Sequence, residues 1–264
     1  MIHFFSDFIF QVAFIRRALN KLLRRAEGLQ YGSYGVSDEV ALALTFHLAD
    51  EDGVIIDAGA NIGEWTEGVL SAGCNVIAIE PQRVLADILN KKFAFIESVS
   101  IEVAALGREI GELILYSDRE GSSLASLYKR DVSHVGLDLQ RSEKVPVVTL
   151  DELARKYGFT TIFFLKLDLE GHELEALMGA RSLLDRQSIR ALSFEFGGCN
   201  IDSRVFMKDF WKILVVEYGF TFYRILPGRR LLHFTSYSEV LEQFEWQNVL
   251  ACAPGVIPTW SRVG

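Results

Sequence analysis

The stretch VIIDAGANIGEWT, running from Val54 to Thr66, sets the architecture of this chain. Its first three residues, Val54, Ile55 and Ile56, are apolar and β-branched, the pattern of a short strand buried on both faces of a parallel sheet. Asp57 ends the run, and Gly59 and Gly63 punctuate the next seven residues, with Asn61 between them. Glycine at position 59 lets the chain turn sharply, and glycine at 63 lets a helix begin close to the sheet. Strand, glycine turn and helix in this order leave backbone groups free at the carboxyl end of a strand, which is where open α/β sheets bind ligands.

The same alternation continues in both directions. Upstream, Ser37 and Asp38 open a helical pattern through Val40, Leu42, Leu44, His47 and Leu48 that closes at Asp52 and Gly53. Downstream, the spacing predicts strands at 75–80 and 100–105 with a helix at 83–91 between them. Extra β structure at 112–117 precedes a long polar loop or lid at 118–143. The second half reads as a strand at 145–149, a helix at 150–157, a buried strand at 162–167, a helix at 172–184 and a strand at 189–196. A helix at 206–218 and extended segments at 221–225 and 247–251 complete the chain. Strands alternating with helices imply an α/β fold with a mostly parallel, doubly wound sheet and helices on both faces.

Glu80 stands 23 positions beyond Asp57, at the end of the second predicted strand. A carboxylate there can accept hydrogen bonds from both hydroxyls of a ribose. Lys166, Asp168, Glu170, Gly171, His172 and Glu173 place further ionisable groups where the strand at 162–167 ends. The glycines do not make the full dinucleotide fingerprint, because Asn61 occupies the middle glycine position. Glu64 and Glu67 in the first turns of the next helix also disfavour a pyrophosphate on its N-terminus, whereas a cationic sulfonium tolerates them. None of the eight tyrosines has a lysine four residues on, so the proton-relay pair of a short-chain dehydrogenase is missing. An NAD-dependent oxidoreductase is therefore the weaker enzymatic alternative. A non-catalytic adenosine-binding or membrane-associated scaffold is the alternative from another class.

Taken together, VIIDAGANIGEWT, the pair Glu80-Pro81, VTLDEL at Val148–Leu153 and FLKLDLEGHELEALMGA at Phe164–Ala180 resemble the FkbM family of methyltransferases. Ser122, Ser123 and Leu124, and FEFGGCN at Phe194–Asn200, resemble it too, and the likeness runs from about residue 35 to about residue 252. The resemblance implies a Rossmann-like class I methyltransferase fold with a seven-stranded twisted sheet, S-adenosyl-L-methionine as cofactor, and O-methylation of a hydroxyl on a sugar, polysaccharide or secondary metabolite. It also implies roles. Asp57, Gly59, Ala60, Asn61 and Gly63 would line the methionine part of the cofactor, Glu80 would hold its ribose, and Ala104 and Ala105 would lie near the adenine. Asp168 would be close to the amino and sulfonium groups.

A hydroxyl is a poor nucleophile, so a base helps as the new bond forms. Asp168, His172 and Glu195 are the candidates, each near the end of a central strand, with His134 on the loop as a fourth. Lys166 pairs with a carboxylate or serves the site directly; Glu173 reads as a helix-start residue. Asn200 is a candidate acceptor contact. The acceptor pocket is expected from the loop at 118–143 and from Tyr223, Arg224, Arg229, Arg230 and His233. Carboxylates at strand ends can hold Mg²⁺, but no spacing here demands a metal, and the expected transfer uses none.

Composition bounds the remainder. Half of the 264 residues are hydrophobic, enough for one large α/β domain, expected at 35–264, plus an N-terminal helix and connector at 1–34. The net charge of −8 argues against general nucleic-acid binding. It is uneven, with +3 over residues 1–30 and −11 over the rest. The apolar run at 1–15 is broken by Asp7 and Gln11, falls short of a spanning helix, and is followed rather than preceded by its basic cluster, unlike a secretory signal. Phe8, Val12, Ile15, Leu19, Leu22 and Ala26 recur at helical spacing opposite Arg17, Lys21 and Arg24. Such a helix suits peripheral contact with an anionic membrane, or packing on the domain or on the second subunit of a homodimer. Cys74, Cys199 and Cys252 form no pair and no zinc pattern, which suits a reducing, cytoplasmic compartment.

Overall fold

A computed structural model describes residues 18–30, 35–47 and 53–263 of the chain. The expectations for residues 1–17, for most of the connector at 31–34 and for the end of the first helix at 48–52 lie outside these residues. Two sheets are formed. The larger has nine strands: β1 (Val54–Ala58), β2 (Val76–Ile79), β3 (Val99–Glu102), β7 (Ile162–Leu167), β8 (Ala191–Phe196), β9 (Thr221–Leu226), β10 (Arg230–Phe234), β11 (Gln247–Cys252) and β12 (Ser261–Val263). The smaller has three: β4 (Ala105–Leu106), β5 (Gly111–Ser117) and β6 (Arg141–Val148). The large sheet runs β12-β10-β9-β11-β8-β7-β1-β2-β3. Its strands from β3 to β8 are parallel, and β11 lies antiparallel between β8 and β9.

The sheet is thus two strands wider than the seven expected. Both additions, β10 and β12, extend the β9 edge. A tight turn with positive φ at Gly228 and Arg229 folds β10 back onto β9, and the adjoining Arg229 and Arg230 masked the strand in the sequence.

Strand alternation distributes the core over two faces. On one, Ile56, Ala58, Ile77, Ile79, Leu165 and Leu167 pack on helices α4 (Leu150–Tyr157), α5 (Glu173–Met178) and α6 (Arg181–Asp185). On the other, Ile55, Val76 and Phe164 meet α1 (Val36–Leu44) and α2 (Glu64–Leu70) through Val40, Leu42, Trp65 and Val69. Helix α3 (Arg83–Lys92) supports the β2–β3 end.

One helix expected at 172–184 is two, α5 and α6. The chain breaks at Gly179, where a Cβ would lie 2.1 Å from the carbonyl oxygen of Gly107, so the small sheet presses directly on that glycine. The helix expected at 206–218 begins as α8 (Met207–Phe210), after α7 (Cys199–Ser203), and continues with π-type hydrogen bonding over Trp211–Glu217. The lid is shorter than expected. Arg141 already pairs with Ser117, so the loop spans residues 118–140 and is carried by the β5–β6 hairpin.

Candidate cofactor and active site

The carboxyl ends of β2, β1, β7 and β8 open into a cavity of about 840 Å³, within the range of small-molecule sites. Glu80 leaves β2 almost wholly buried and receives a backbone N–H on each carboxylate oxygen, from Asn61 on Oε2 and from Gln82 on Oε1, both at 2.9 Å. These bonds fix the carboxylate while leaving lone pairs for the cavity. Burial nevertheless pushes its pKa up to about 7. Two hydroxyl donors would offset that burial, so Glu80 fits a ribose diol.

The β1–α2 turn is built around this carboxylate. Asn61 sits at φ 49, a left-handed conformation that asparagine tolerates better than most residues, which is why it can replace a glycine there. At Gly59 a Cβ would stand 2.0 Å from the Asp168 carbonyl oxygen, so only glycine lets the β1 and β7 turns touch. Asp168 N–H closes the contact by donating to Ala58 O at 3.1 Å. Gly63 departs from its expected role. It lies outside the cavity lining, and a Cβ there would meet Leu89 and Phe93 at 2.7 and 2.8 Å. Its work is to let α2 start against α3 rather than against the sheet.

Across the turn, Lys166 Nζ lies 3.0 Å from Asp168 Oδ2 and 3.5 Å from Asp57 Oδ1. Burial alone would lower this amine, but Asp168, Asp57 and Glu39 together hold it above its usual range. Asp57 is fully buried and accepts the Thr66 hydroxyl on Oδ2 at 2.7 Å, tying β1 to α2. Glu39, on α1, lines the same space and accepts Asn248 Nδ2 at 2.9 Å. Burial pushes Glu39 up to about 7, with Lys166 opposing and Asp168 and Asp57 adding.

The far side is formed by Glu170, Glu195, Trp246 and Asn248. Trp246 Nε1 donates to Glu195 Oε2 at 3.1 Å, and burial with the nearby Asp168, Glu170 and Glu173 raises the Glu195 carboxyl well above the usual range. Glu170 is held up by burial and pairs with Arg130 of the loop, whose Nε also lies 3.5 Å from Asp202. Among the described residues, donor atoms of Glu170, Glu195 and Cys199 come within 4.8 Å of one another. The Cys199 thiol is pushed up by burial and points at Asn200 Oδ1, 3.4 Å away.

Of the expected site residues, Asp57, Gly59, Ala60, Asn61, Glu80, Ala104, Ala105, Asp168 and Glu195 line the one cavity. Ala104 and Ala105 lie beyond the end of β3, and Ala105 belongs to the small sheet. His172 does not line it. Left-handed conformations at Glu170 (φ 51) and Gly171 (φ 103) swing the chain so that the His172 ring packs 5.5 Å from Tyr128, buried, with its pKa lowered to about 4 by that burial. His134 is exposed on the loop, and Asn200 is buried outside the lining, its Oδ1 accepting Gly197 N–H at 2.9 Å. Glu173 accepts Leu169 and Gly171 N–H groups and so holds the turn, as a helix-start residue should. Tyr223, Arg224, Arg229, Arg230 and His233 are also outside the lining; Arg224 is buried against Gln247 and Gln243, and Arg229 reaches Asp38.

Glu39, Gln82, Trp246 and Asn248 are lining residues that sequence reasoning missed. Trp246 and Asn248 were hidden by strand direction. Because β11 is antiparallel, it brings its amino end to the ligand edge, with Asn248 opposite Glu195.

Similar solved structures include a magnesium protoporphyrin IX methyltransferase from Synechocystis with bound S-adenosylmethionine, 15% identical over 83% of this chain and 77% of that one, TM-score 0.42. A putative methyltransferase from Streptococcus mutans with S-adenosylhomocysteine is 14% identical over 83% and 96%, TM-score 0.43. The plantazolicin methyltransferase BpumL with S-adenosylhomocysteine is 10% identical over 83% and 82%, TM-score 0.41. No curated protein matches the chain. The model of the methyltransferase FkbM domain matches residues 57–222, more than half of the chain and all of the strand ends that build the cofactor side of the cavity. The chain belongs to the FkbM family of S-adenosylmethionine-dependent methyltransferases.

Proposed function

We propose that this enzyme methylates a hydroxyl oxygen of a sugar, polysaccharide or secondary metabolite by in-line displacement, without a metal. The observation that carries the reading is Glu195. It lines the cavity beside Asp168, accepts the Trp246 indole N–H, and burial raises its carboxyl, the direction that makes a carboxylate a stronger base. When bound, the sulfonium supplies the activated methyl carbon. The chain's own work is to hold Glu80 on the ribose, close residues 122–127 over the cavity, and fix the acceptor oxygen on the methyl axis. Alignment of that kind can supply about 7–11 kcal/mol of a barrier. At the Glu170, Glu195 and Cys199 cluster, the ion pair of Arg130 with Glu170 supports the metal-free reading.

The test is a panel of mono- and oligosaccharides, polyketide-type alcohols and amines, incubated with S-adenosylmethionine and analysed by mass spectrometry and NMR for the newly methylated atom. An ether product, with turnover lost in Glu195→Gln while S-adenosylhomocysteine binding persists, supports the proposal. An N-methyl product, or calorimetric binding of NAD in place of both sulfur compounds, refutes it.

A second reading concerns location. The helical residues 18–26 expose Leu19, Leu22 and Leu23, each more than half exposed, beside Lys21, Arg24 and Arg25. No described helix is long and apolar enough to cross a membrane. We propose that this segment lies on an anionic membrane surface. Sedimentation with phosphatidylglycerol vesicles but not with phosphatidylcholine vesicles is the expected result, and equal partition with either refutes it.

A further inference from the structure

The cavity is lined by seven carboxylates, Glu39, Asp57, Glu64, Glu80, Asp168, Glu170 and Glu195, and by Lys166 as its one lysine among the described residues. Lys166 is engaged by Asp168 and Asp57, and Arg130 by Glu170 and Asp202. Glu39 receives only the neutral Asn248 amide from its neighbours' hydrogen-bond donors, and Asp57 Oδ1 is buried without a hydrogen-bond partner. Glu39 faces Asp57 on β1 and Lys166 and Asp168 at the end of β7, whereas Glu80 ends β2, on the other side of β1 from β7.

With its ribose on Glu80 at the end of β2, the cofactor would have its amino-acid tail held where Glu39, Asp57, Lys166 and Asp168 line the cavity. That tail ends in a carboxylate, for which Lys166 is the nearby cation, and an ammonium, which needs hydrogen-bond acceptors and opposite charge. Glu39 hangs over this end from α1, and Asn248 fixes its orientation from β11. We propose that Glu39 takes the α-ammonium of the cofactor's methionine end. The proposal rests on the cavity being the cofactor site.

The groups that face Glu39 are Lys166 and Asp168 at the end of β7, Asp57 at the end of β1 and the Asn248 amide on β11. With Glu39 raised to about 7 by burial, part of the free enzyme carries this proton at neutral pH, and pairing with the ammonium drives it off. Glu80 is poised similarly, but it serves the ribose and so responds to any adenosine ligand.

Calorimetric titration of the full chain with S-adenosylhomocysteine and with 5′-methylthioadenosine, which lacks the amino-acid head, separates the two carboxyls. In buffers of different ionisation enthalpy at pH 7, S-adenosylhomocysteine should release up to about half a proton more than methylthioadenosine. Glu39→Gln should abolish that difference. It should also weaken S-adenosylhomocysteine about tenfold or more, with methylthioadenosine held within about twofold. Equal proton release by the two ligands in the wild-type chain, unchanged S-adenosylhomocysteine binding in the variant, or equal losses for both ligands would each overturn the assignment. The wild-type proton count stands whether or not the variant folds. A wild-type chain that binds neither ligand refutes the cofactor site itself, a result distinct from these.

Discussion

Replacing Glu173 with glutamine should flatten the dependence of stability on pH. Glu173 opens α5 with no exposed surface, and its Oε1 accepts Leu169 N–H at 2.8 Å and Gly171 N–H at 3.2 Å. Its Oε2 is buried without a partner. Burial outweighs the two N–H groups and pushes the carboxyl from 4.5 to about 7. The folded chain therefore holds this proton more tightly than the unfolded chain does. The resulting stabilisation is complete below 4.5 and is lost as pH rises through about 7. At about 1.4 kcal/mol per pH unit, the loss between pH 5 and 7.5 is about 2 kcal/mol from this one side chain. For a domain of this size that corresponds to a fall of about 4–8 °C in Tm. Glutamine keeps the shape of the protonated acid, keeps an oxygen for both N–H groups and cannot ionise. Calorimetric melting of ligand-free wild type and Glu173→Gln across this range isolates the term, because the other buried carboxyls titrate in both proteins. Parallel Tm curves would refute the reasoning.

Other substitutions probe the cofactor side. Gly59→Ala puts a methyl 2.0 Å from the Asp168 carbonyl at a backbone φ of 84, so the β1 and β7 turns must part. A stability loss of at least about 1–2 kcal/mol by melting, with weakened S-adenosylhomocysteine binding, is expected. Glu80→Ala removes the acceptor of Asn61 and Gln82 N–H groups together with the ribose ligand. Both S-adenosylhomocysteine and methylthioadenosine should weaken by about tenfold or more in calorimetry, and an effect on only one of them would contradict the ribose role. Exhaustive EDTA treatment should leave methyl transfer unchanged; loss of turnover restored by Mg²⁺ would show that the carboxylate cluster holds a metal.

Local chemistry was legible in the sequence, and long-range geometry was not. The ranges of β7 and α4 follow from their own residues: a six-residue run apolar at every position but Lys166, and a helix whose Thr149 cap accepts Glu152 N–H and whose end is Gly158 in the left-handed conformation. Glu80 was readable because its distance from Asp57 is set by one helix and one strand. His172 was misplaced because its direction depends on two consecutive positive φ values, and nothing in the residue types around Glu170 announces the first of them. Glu39 looked like an ordinary acidic residue of a helix's first turn. Its place in the cavity depends on a contact with Asn248, 209 residues away.

That contact also bears on how the two halves of the site divide their labour. The cavity residues expected to hold the cofactor, from Asp57 and Asn61 to Glu80 and Ala105, fall within residues 57–222, the span matched by the family model. Glu39, Trp246 and Asn248 fall outside it, on either flank, and Asn248 meets Glu39 across the cavity. The antiparallel course of β11 makes this meeting available, since it sets Asn248 beside Glu195 on one side and within reach of α1 on the other. The hydrogen bonds that hold the β1 turn and Glu80 come from Asn61, Gln82, Thr66 and Asp168, all away from these flanks. Adaptation to a new acceptor is therefore cheapest at the start of β11. Changes to Trp246 should alter acceptor preference while leaving methylthioadenosine binding intact, since Trp246 donates to Glu195 whereas Glu80 is held by Asn61 and Gln82.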